Sequence, residues 1–240
     1  MNINIKNCEV NIITGTDTLE ISGNAQLAAA EAPAESTRPA ESKESGFISE
    51  MTYSLSAFMA NRDKVRIGDR VRLPAFTVPA VKIDGEYVLY FDEKNIADEA
   101  IVFGKDENGD LILIFDHCLF ESEIDLNNEK RFAMTQLGKY LQSEFLRAMN
   151  GAGIPAESCG LISKEEMFGD NALEYFKAGR NRLAFNFEED CSRYYWLSTL
   201  YDEDTSAAFF FFAYDSGDAG KSGASNATLY VRPRFIIQKS

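Results

Sequence analysis

Tyr194-Tyr-Trp-Leu197, Ala207-Ala-Phe-Phe-Phe-Phe-Ala-Tyr214, Thr228-Leu-Tyr-Val231 and Phe235-Ile-Ile237 are four aromatic and β-branched runs, parted by polar segments rich in Gly, Ser, Asn and Asp. Short runs of this composition between turn-forming residues predict strands. The stretch Ala207 to Tyr214 is apolar at consecutive positions, so both of its faces need cover, which predicts a central strand. Upstream, Thr135 precedes Leu137, Tyr140, Leu141, Phe145, Ala148 and Met149 at helical spacing until Gly151. That pattern predicts a helix capped by the Thr135 hydroxyl. Ser163-Lys-Glu-Glu166 is a capping box for a second, short helix ending near Gly169, with a further turn or two at Ala172 to Ala178. Two helices followed by antiparallel strands is the order of an α+β domain.

Further toward the N-terminus, Ile101-Val-Phe-Gly104 and Leu111-Ile-Leu-Ile-Phe115 flank Asp106-Glu-Asn-Gly-Asp110, and the Asn108-Gly109 pair predicts a hairpin. Gly85 to Phe91 reads as a strand, Val65 to Leu73 as a half-buried hairpin or bent strand, and Ser54 to Asn61 as a short helix. Residues 1–22 alternate apolar and polar and read as a small β arm, while 23–50 are dominated by Ala, Glu, Ser and Pro. A stretch so poor in large apolar groups cannot offset the entropy of ordering it, so it reads as a linker. The expected organisation is an arm at 1–22, a linker at 23–50, a small β-rich region at 51–104 and the main domain at 105–240.

The 240 residues carry 24 basic and 38 acidic side chains, a formal net charge of −14. Such a field repels polyphosphate and anionic membrane surfaces, which argues against a nucleic-acid partner. Between Glu188 and Asp218, eight carboxylates (Glu188, Glu189, Asp190, Asp202, Glu203, Asp204, Asp215 and Asp218) face Arg193 alone, so this region favours neutral or cationic ligands. No run approaches the roughly 18 apolar residues of a membrane span. The N-terminus lacks a basic start followed by an apolar core, so no signal peptide is expected and synthesis is read as cytoplasmic. Cys8, Cys118, Cys159 and Cys191 are far apart with no Cys-x-x-Cys pair, which reads as reduced, mostly buried thiols and neither a zinc site nor a disulfide framework.

Several motifs approach known chemistry and fall short. Asp215-Ser-Gly-Asp-Ala-Gly-Lys-Ser222 resembles a phosphate-binding loop, but an aspartate replaces its first glycine and a strand follows where a helix N-terminus is needed. Asp106, Asn108 and Asp110 have the first spacings of a calcium loop, yet the required glycine is Leu111. His117 and Cys118 are adjacent on a strand, so their side chains point to opposite faces and form no nucleophile–base pair. Asp202-Glu-Asp204 reads as a solvated turn. No catalytic residue, metal ligand or cofactor is expected.

Phe115-Asp-His-Cys-Leu119, Tyr140-Leu-Gln-Ser-Glu-Phe-Leu146, Leu161-Ile-Ser-Lys-Glu-Glu-Met-Phe-Gly169, Tyr195-Trp-Leu197, Tyr214-Asp-Ser-Gly217 and Val231-Arg-Pro233 occur in an order that resembles a bacterial and phage domain family of the C-type-lectin-like fold. That family is related to the formylglycine-generating-enzyme superfamily and to the variable proteins of diversity-generating retroelements. The resemblance implies two helices packed on a twisted antiparallel sheet, preceded here by the β-rich N-terminal region. It covers the last 130 or so residues, about one domain's length. The chain departs from the pattern at Ser198-Thr-Leu200 and at Tyr230, strand ends that would display ligand-contacting loops. The calcium-dependent sugar motifs of animal lectins are absent, and only Cys191 lies where the oxidising enzymes of the superfamily carry a cysteine pair.

What the resemblance implies is a non-enzymatic recognition or adhesion protein that binds a protein or glycan ligand through its C-terminal loops. The refinements are retroelement diversification, carriage on a phage virion, attachment of the N-terminal arm to an assembly partner, and homo-oligomerisation. The expected contact residues are Tyr201, Asp202, Asp204, Tyr214, Asp215, Asp218, Asn226 and Tyr230, with tyrosines as rigid anchors and carboxylates supplying polarity. Arg232 is expected to tie the sheet together instead. The alternatives are a structural virion or cell-surface subunit and, less favoured, an oxidase on the same fold.

Overall fold

Residues 51–78, 93–170, 172–186, 192–202, 204 and 206–238 are described by a computed structural model, all of them within the unit Gly46–Ser240. The expected arm at 1–22, linker at 23–50 and strand at Gly85 to Phe91 lie outside the described residues. In chain order the strands are β1 (Thr52–Ser54), β2 (Arg70–Arg72), β3 (Phe76–Val78), β4 (Lys94–Ile96), β5 (Glu99–Lys105), β6 (Leu111–Phe115), β7 (His117–Cys118), β8 (Phe120–Glu121), β9 (Ser158–Gly160), β10 (Phe185–Asn186), β11 (Tyr195–Leu200), β12 (Phe209–Ala213), β13 (Ala219–Gly223), β14 (Tyr230–Val231) and β15 (Arg234–Ile237). The helices are α1 (Leu55–Ala60), α2 (Gln136–Tyr140), α3 (Leu146–Gly151), α4 (Lys164–Met167) and α5 (Glu174–Lys177). A six-stranded sheet runs β1-β2-β5-β6-β15-β9 and a five-stranded sheet runs β13-β12-β11-β14-β8, with small pairs β3-β4 and β7-β10. The architecture is α+β.

The Asn108-Gly109 hairpin forms as expected, joining β5 and β6 with a bulge between Val102 and Gly104. The boundary expected at 104/105 therefore cuts through a hairpin. Residues 51–104 are no separate region, because β2 and β5 are hydrogen-bonded into the same sheet as β6 and the C-terminal β15. β6 is buried along its whole length, as the continuous apolar run Leu111 to Phe115 requires. The stretch Val65 to Leu73 also differs from expectation. Only Arg70–Arg72 is strand; before it the buried Asp69 carboxylate accepts from the Arg66 amide at 2.9 Å and closes a turn, so the alternating charges belong to a turn and a strand rather than a hairpin.

Thr135 caps α2 by accepting from the Gly138 amide at 3.0 Å, and α2 continues through a π-helical turn, Leu141–Phe145, into α3. The rod buries Leu137, Leu141, Phe145 and Met149 completely. Phe145 stands edge-on to Phe115 with ring centroids 6.0 Å apart, joining the helix to the larger sheet. Truncating so well buried a ring costs about 3 to 5 kcal/mol. Ser163 and Glu166 form the expected capping box at the start of α4. Trp196 is fully buried between the sheets and donates its indole N–H to the Ser122 carbonyl at 2.7 Å. No helix among the described residues is long and apolar enough to cross a membrane.

β12 is central, as expected, flanked by β11 and β13. Its cover is incomplete, since Phe209 and Phe211 remain half-buried. The reason lies in β13, whose residues Ala219-Gly-Lys-Ser-Gly223 were expected to be loop. Small residues give no strand signal of their own, and this strand exists because the β12 backbone pairs with it from Phe209 to Ala213.

Candidate functional site

Side chains alternate across a strand, so the four consecutive phenylalanines of β12 divide between two faces. Phe210 and Phe212 join Trp196 in one buried cluster, while Phe211 packs with Tyr195, Leu197 and Ala213 in the other. The strand pairing decides where the expected contact residues fall. Tyr214, Asp215, Asp218 and Tyr230 gather at one end of the five-stranded sheet; Tyr201, Asp202, Asp204 and Asn226 gather at the opposite end. The six residues of β11 separate the ends by roughly 17 Å at the usual strand rise. The eight residues therefore do not form one site.

At the first end, β12 and β13 are joined by the five residues Tyr214 to Asp218. Gly217 donates its amide to the Tyr214 carbonyl at 3.0 Å, and Tyr214 donates to the Asp218 carbonyl at 2.8 Å. Gly217 sits at φ 81°, which suits glycine and closes the hairpin. The near-match to a phosphate loop is this hairpin, running on into β13 without a helix. Asp215 and Asp218 are exposed beside it, and Asp218 accepts from the Ser216 hydroxyl at 3.1 Å.

Tyr214 and Tyr194 are 37% and 41% exposed, although both rings lie in aromatic contact. Tyr194 stands edge-to-face with Tyr214 (centroids 5.3 Å, planes 82° apart) and stacks on the buried Phe212 at 5.8 Å. The three rings fit because the residue opposite Phe212 on β13 is Gly220. A Cβ there would stand 2.7 Å from atoms of both the Phe212 and Tyr214 rings.

Beside this aromatic corner a groove of about 450 Å³ crosses the sheet end, lined by Glu121, Arg193, Tyr194, Asp215 and Tyr230 among others. The Tyr230 hydroxyl accepts from the Asn186 amide at 3.0 Å, and the Arg193 guanidinium lies over its ring at 5.6 Å. Burial, then the neighbouring Glu121 charge, push the Tyr230 hydroxyl above the ordinary tyrosine value against the opposing pull of Arg193. Tyr230 therefore stays protonated and able to donate.

The second end has the same ingredients arranged differently. Tyr201 is 42% exposed, but the Lys221 ammonium caps its ring at 3.7 Å. Tyr201 packs on Phe211 at 5.3 Å, and Lys164 lies over the Phe211 ring at 4.1 Å. Asp202 accepts from the Asp204 amide at 2.9 Å, an ordinary turn. The Asn226 side-chain carbonyl accepts from the Thr228 amide and hydroxyl, and its NH2 donates to Ser222, which braces the turn.

Elsewhere, Asp106 accepts from the Asn108 and Asp110 amides at 2.9 and 2.8 Å, the arrangement of a hairpin turn. Cys118 and Cys159 are free and buried. Burial pushes the Cys118 thiol up to about 12 and raises Cys159 as well, so neither is a ready nucleophile. Cys8 and Cys191 lie outside the described residues. His117 is turned away from Cys118 and meets the buried Asp98 at 2.7 Å through Nδ1. Arg232 is fully buried and donates to the backbone carbonyls of Phe115 at 2.8 Å and Asp116 at 3.3 Å, tying the two sheets together. Among the described residues no group of three or more His, Cys, Asp or Glu converges to hold a metal ion.

The expected set omits Glu121, Ser192, Arg193, Tyr194 and Thr228 from the groove. Tyr194 carried a signal, as part of an aromatic run whose alternation leaves its outermost member at the sheet end. Glu121 carried none, because it reaches the groove only through the long-range pairing of β8 with β14, which sets it opposite Tyr230. A larger groove of about 530 Å³ lies beside the edge strand β9 and contains none of the expected residues. No protein-family model, curated protein or solved structure matches the chain.

Proposed function

We propose that this chain is a non-enzymatic recognition protein on a C-type-lectin-like scaffold, and that its ligand lies across the Tyr194, Tyr214 and Tyr230 end of the five-stranded sheet. One observation carries the reading: two substantially exposed tyrosines are held at a right angle by a glycine-backed packing arrangement, next to a polar groove. Rigid aromatic rings with a polar rim are the usual anchors of a binding surface. Two sheets, a capped helix rod and a buried tryptophan between them support the lectin-like assignment. The buried thiols of Cys118 and Cys159 offer the oxidase alternative no ready nucleophile. A glycan or a protein surface is the ligand class, and carriage on a phage virion or a cell surface is the setting in which such a display serves adhesion.

The test is an immobilised glycan and surface-protein array probed with the whole chain and with a Tyr194→Ala, Tyr214→Ala double variant. Binding by the parent that the folded double variant lacks supports the reading. Equal binding by both moves the site elsewhere, and a stable oligomer that binds nothing favours the structural-subunit alternative. Sequencing the locus tests diversification: a template repeat of the segment coding Tyr194 to Arg234 beside a reverse transcriptase supports it, and its absence removes that refinement.

A further inference from the structure

The aromatic rings of this protein are repeatedly faced by cations. Lys164, Arg182, Arg193, Lys221 and Arg232 lie over Phe211, Phe168, Tyr230, Tyr201 and Tyr195, at 3.7 to 5.6 Å from the ring centroids. Tyr194 and Tyr214 are the exception among the exposed tyrosines: no cation of the described residues lies over either ring. Next to them, Asp215 and Asp218 enter none of the ion pairs among the described residues. Two partly exposed tyrosine rings in edge-to-face contact, with carboxylates beside them that form no ion pair among the described residues, in a chain of net charge −14, favour the approach of a cation.

We infer that the Tyr194–Tyr214 corner binds a small organic cation of the quaternary-ammonium class, the chemistry of choline. This rests on the recognition reading above and names its ligand class. A quaternary ammonium is more weakly hydrated than a primary ammonium, spreads its charge over methyl groups, and is attracted to aromatic faces by the ring quadrupole. It has no N–H to donate, which fits a corner that offers ring faces and nearby charge. The nearest cation in the groove, Arg193, has its guanidinium over the Tyr230 ring at 5.6 Å and over neither ring of the corner. The second end of the sheet supplies the internal precedent, because there the chain places its own Lys221 ammonium over Tyr201.

Choline and its neutral isostere 3,3-dimethyl-1-butanol, titrated into the whole chain at low ionic strength and followed by tyrosine ring resonances, test the inference. Choline is expected to saturate and shift the Tyr194 and Tyr214 rings, with the alcohol binding roughly tenfold more weakly. Tyr214→Ala should weaken choline roughly tenfold, and the Asp215→Asn, Asp218→Asn pair severalfold, with the latter effect shrinking in salt. Arg193→Gln should strengthen it by removing a like charge. Equal binding of choline and the alcohol, or choline shifts confined to other rings, or no choline binding at all, would overturn the ligand class. If choline fails while the array ligand is still lost in the double variant, recognition at this end stands and only the cation assignment falls. If choline binds while the array result is unchanged by the double variant, the cation site stands and the wider recognition reading falls.

Discussion

The two ends of the five-stranded sheet begin from the same residues and finish differently. Each offers a partly exposed tyrosine on a phenylalanine of β12 with aspartates in the adjoining turn. At the Tyr201 end the chain closes the arrangement itself, with Lys221 over one ring and Lys164 over the other. At the Tyr214 end a second tyrosine takes the place of the lysine, and the residue opposite on β13 is Gly220. The difference follows from the alternation of β13. Gly220 and Lys221 are neighbours in sequence and so belong to opposite faces, one leaving room for rings and the other supplying charge. Aromatic and acidic content therefore does not define a site; what matters is whether the same chain has already satisfied it.

The strongest way to break the comparison is to remove what lies beneath the first end. Arg232 is fully buried behind the Tyr195 ring and donates to the carbonyls of Phe115 and Asp116. Arg232→Met keeps much of the volume but strips those carbonyls of donors, each costing about 1 to 3 kcal/mol. A loss of roughly 3 kcal/mol in denaturant unfolding is expected, and a loss below about 1 kcal/mol would mean the sheets do not depend on this tie.

Glycine substitutions in β13 separate the ends more finely. Gly220→Ala places a methyl against the Phe212 and Tyr214 rings, with an expected cost of about 1 to 3 kcal/mol and displacement of the tyrosine corner. Gly223→Ala meets nothing within 4 Å and should change stability by less than about 0.5 kcal/mol. Thermal unfolding of the two variants reads the contrast; equal effects would show that ring packing on Gly220 does not constrain the strand.

Lys221→Met removes the cap from Tyr201. The exposed cation–π contact contributes about 0.5 to 1 kcal/mol, so stability should fall by no more than that. The informative outcome is binding: a choline-induced shift at the Tyr201 ring, absent in the parent, is expected once the internal cation is gone. If Tyr201 remains silent, an uncapped ring is not sufficient and the carboxylate positions at the first end matter more than the ring itself.

The parts of the fold legible in the sequence are those written in local pattern. Thr135 and Ser163 announce their helices through capping chemistry, and Asn108-Gly109 announces its hairpin. β13 was illegible because Ala219-Gly-Lys-Ser-Gly223 becomes a strand only through its partner. That residues before 104 share a sheet with the C-terminal strand was illegible for the same reason, since pairing of β2 with β5 and of β6 with the C-terminal β15 is non-local. Of the candidate site, Tyr214, Asp215, Asp218 and Tyr230 were legible as polar and aromatic residues at strand ends. That Tyr201, Asp202, Asp204 and Asn226 belong to the opposite end was not, because residue type says nothing about which end of a sheet a turn occupies.

The smallest expected effect lies away from both ends, at His117. Its ring meets the buried Asp98 carboxylate through Nδ1 and its backbone amide donates to the same group at 3.1 Å. That hydrogen bond, with the Asp98 and Asp116 charges, raises the histidine above its usual 6.5 against burial and the Arg232 charge. A raised folded value means the protonated ring is held more tightly in the folded chain. Its stabilisation is therefore full below about 6.5, declines as pH rises through the higher folded value, and is gone above it. Because the ring is partly exposed, the contribution should stay below about 1 kcal/mol. Denaturant midpoints of the parent and His117→Asn, compared from about pH 5 to pH 9, should differ most at the acid end and converge at the alkaline end. A difference that instead widened with pH would reverse the sign of the interaction. β7 pairs with β10, which carries Asn186 to Tyr230. Loss of the clamp at alkaline pH should accordingly loosen the Tyr230 half of the groove and leave the Tyr194–Tyr214 corner, which Gly220 and Phe212 support, binding its cation as before.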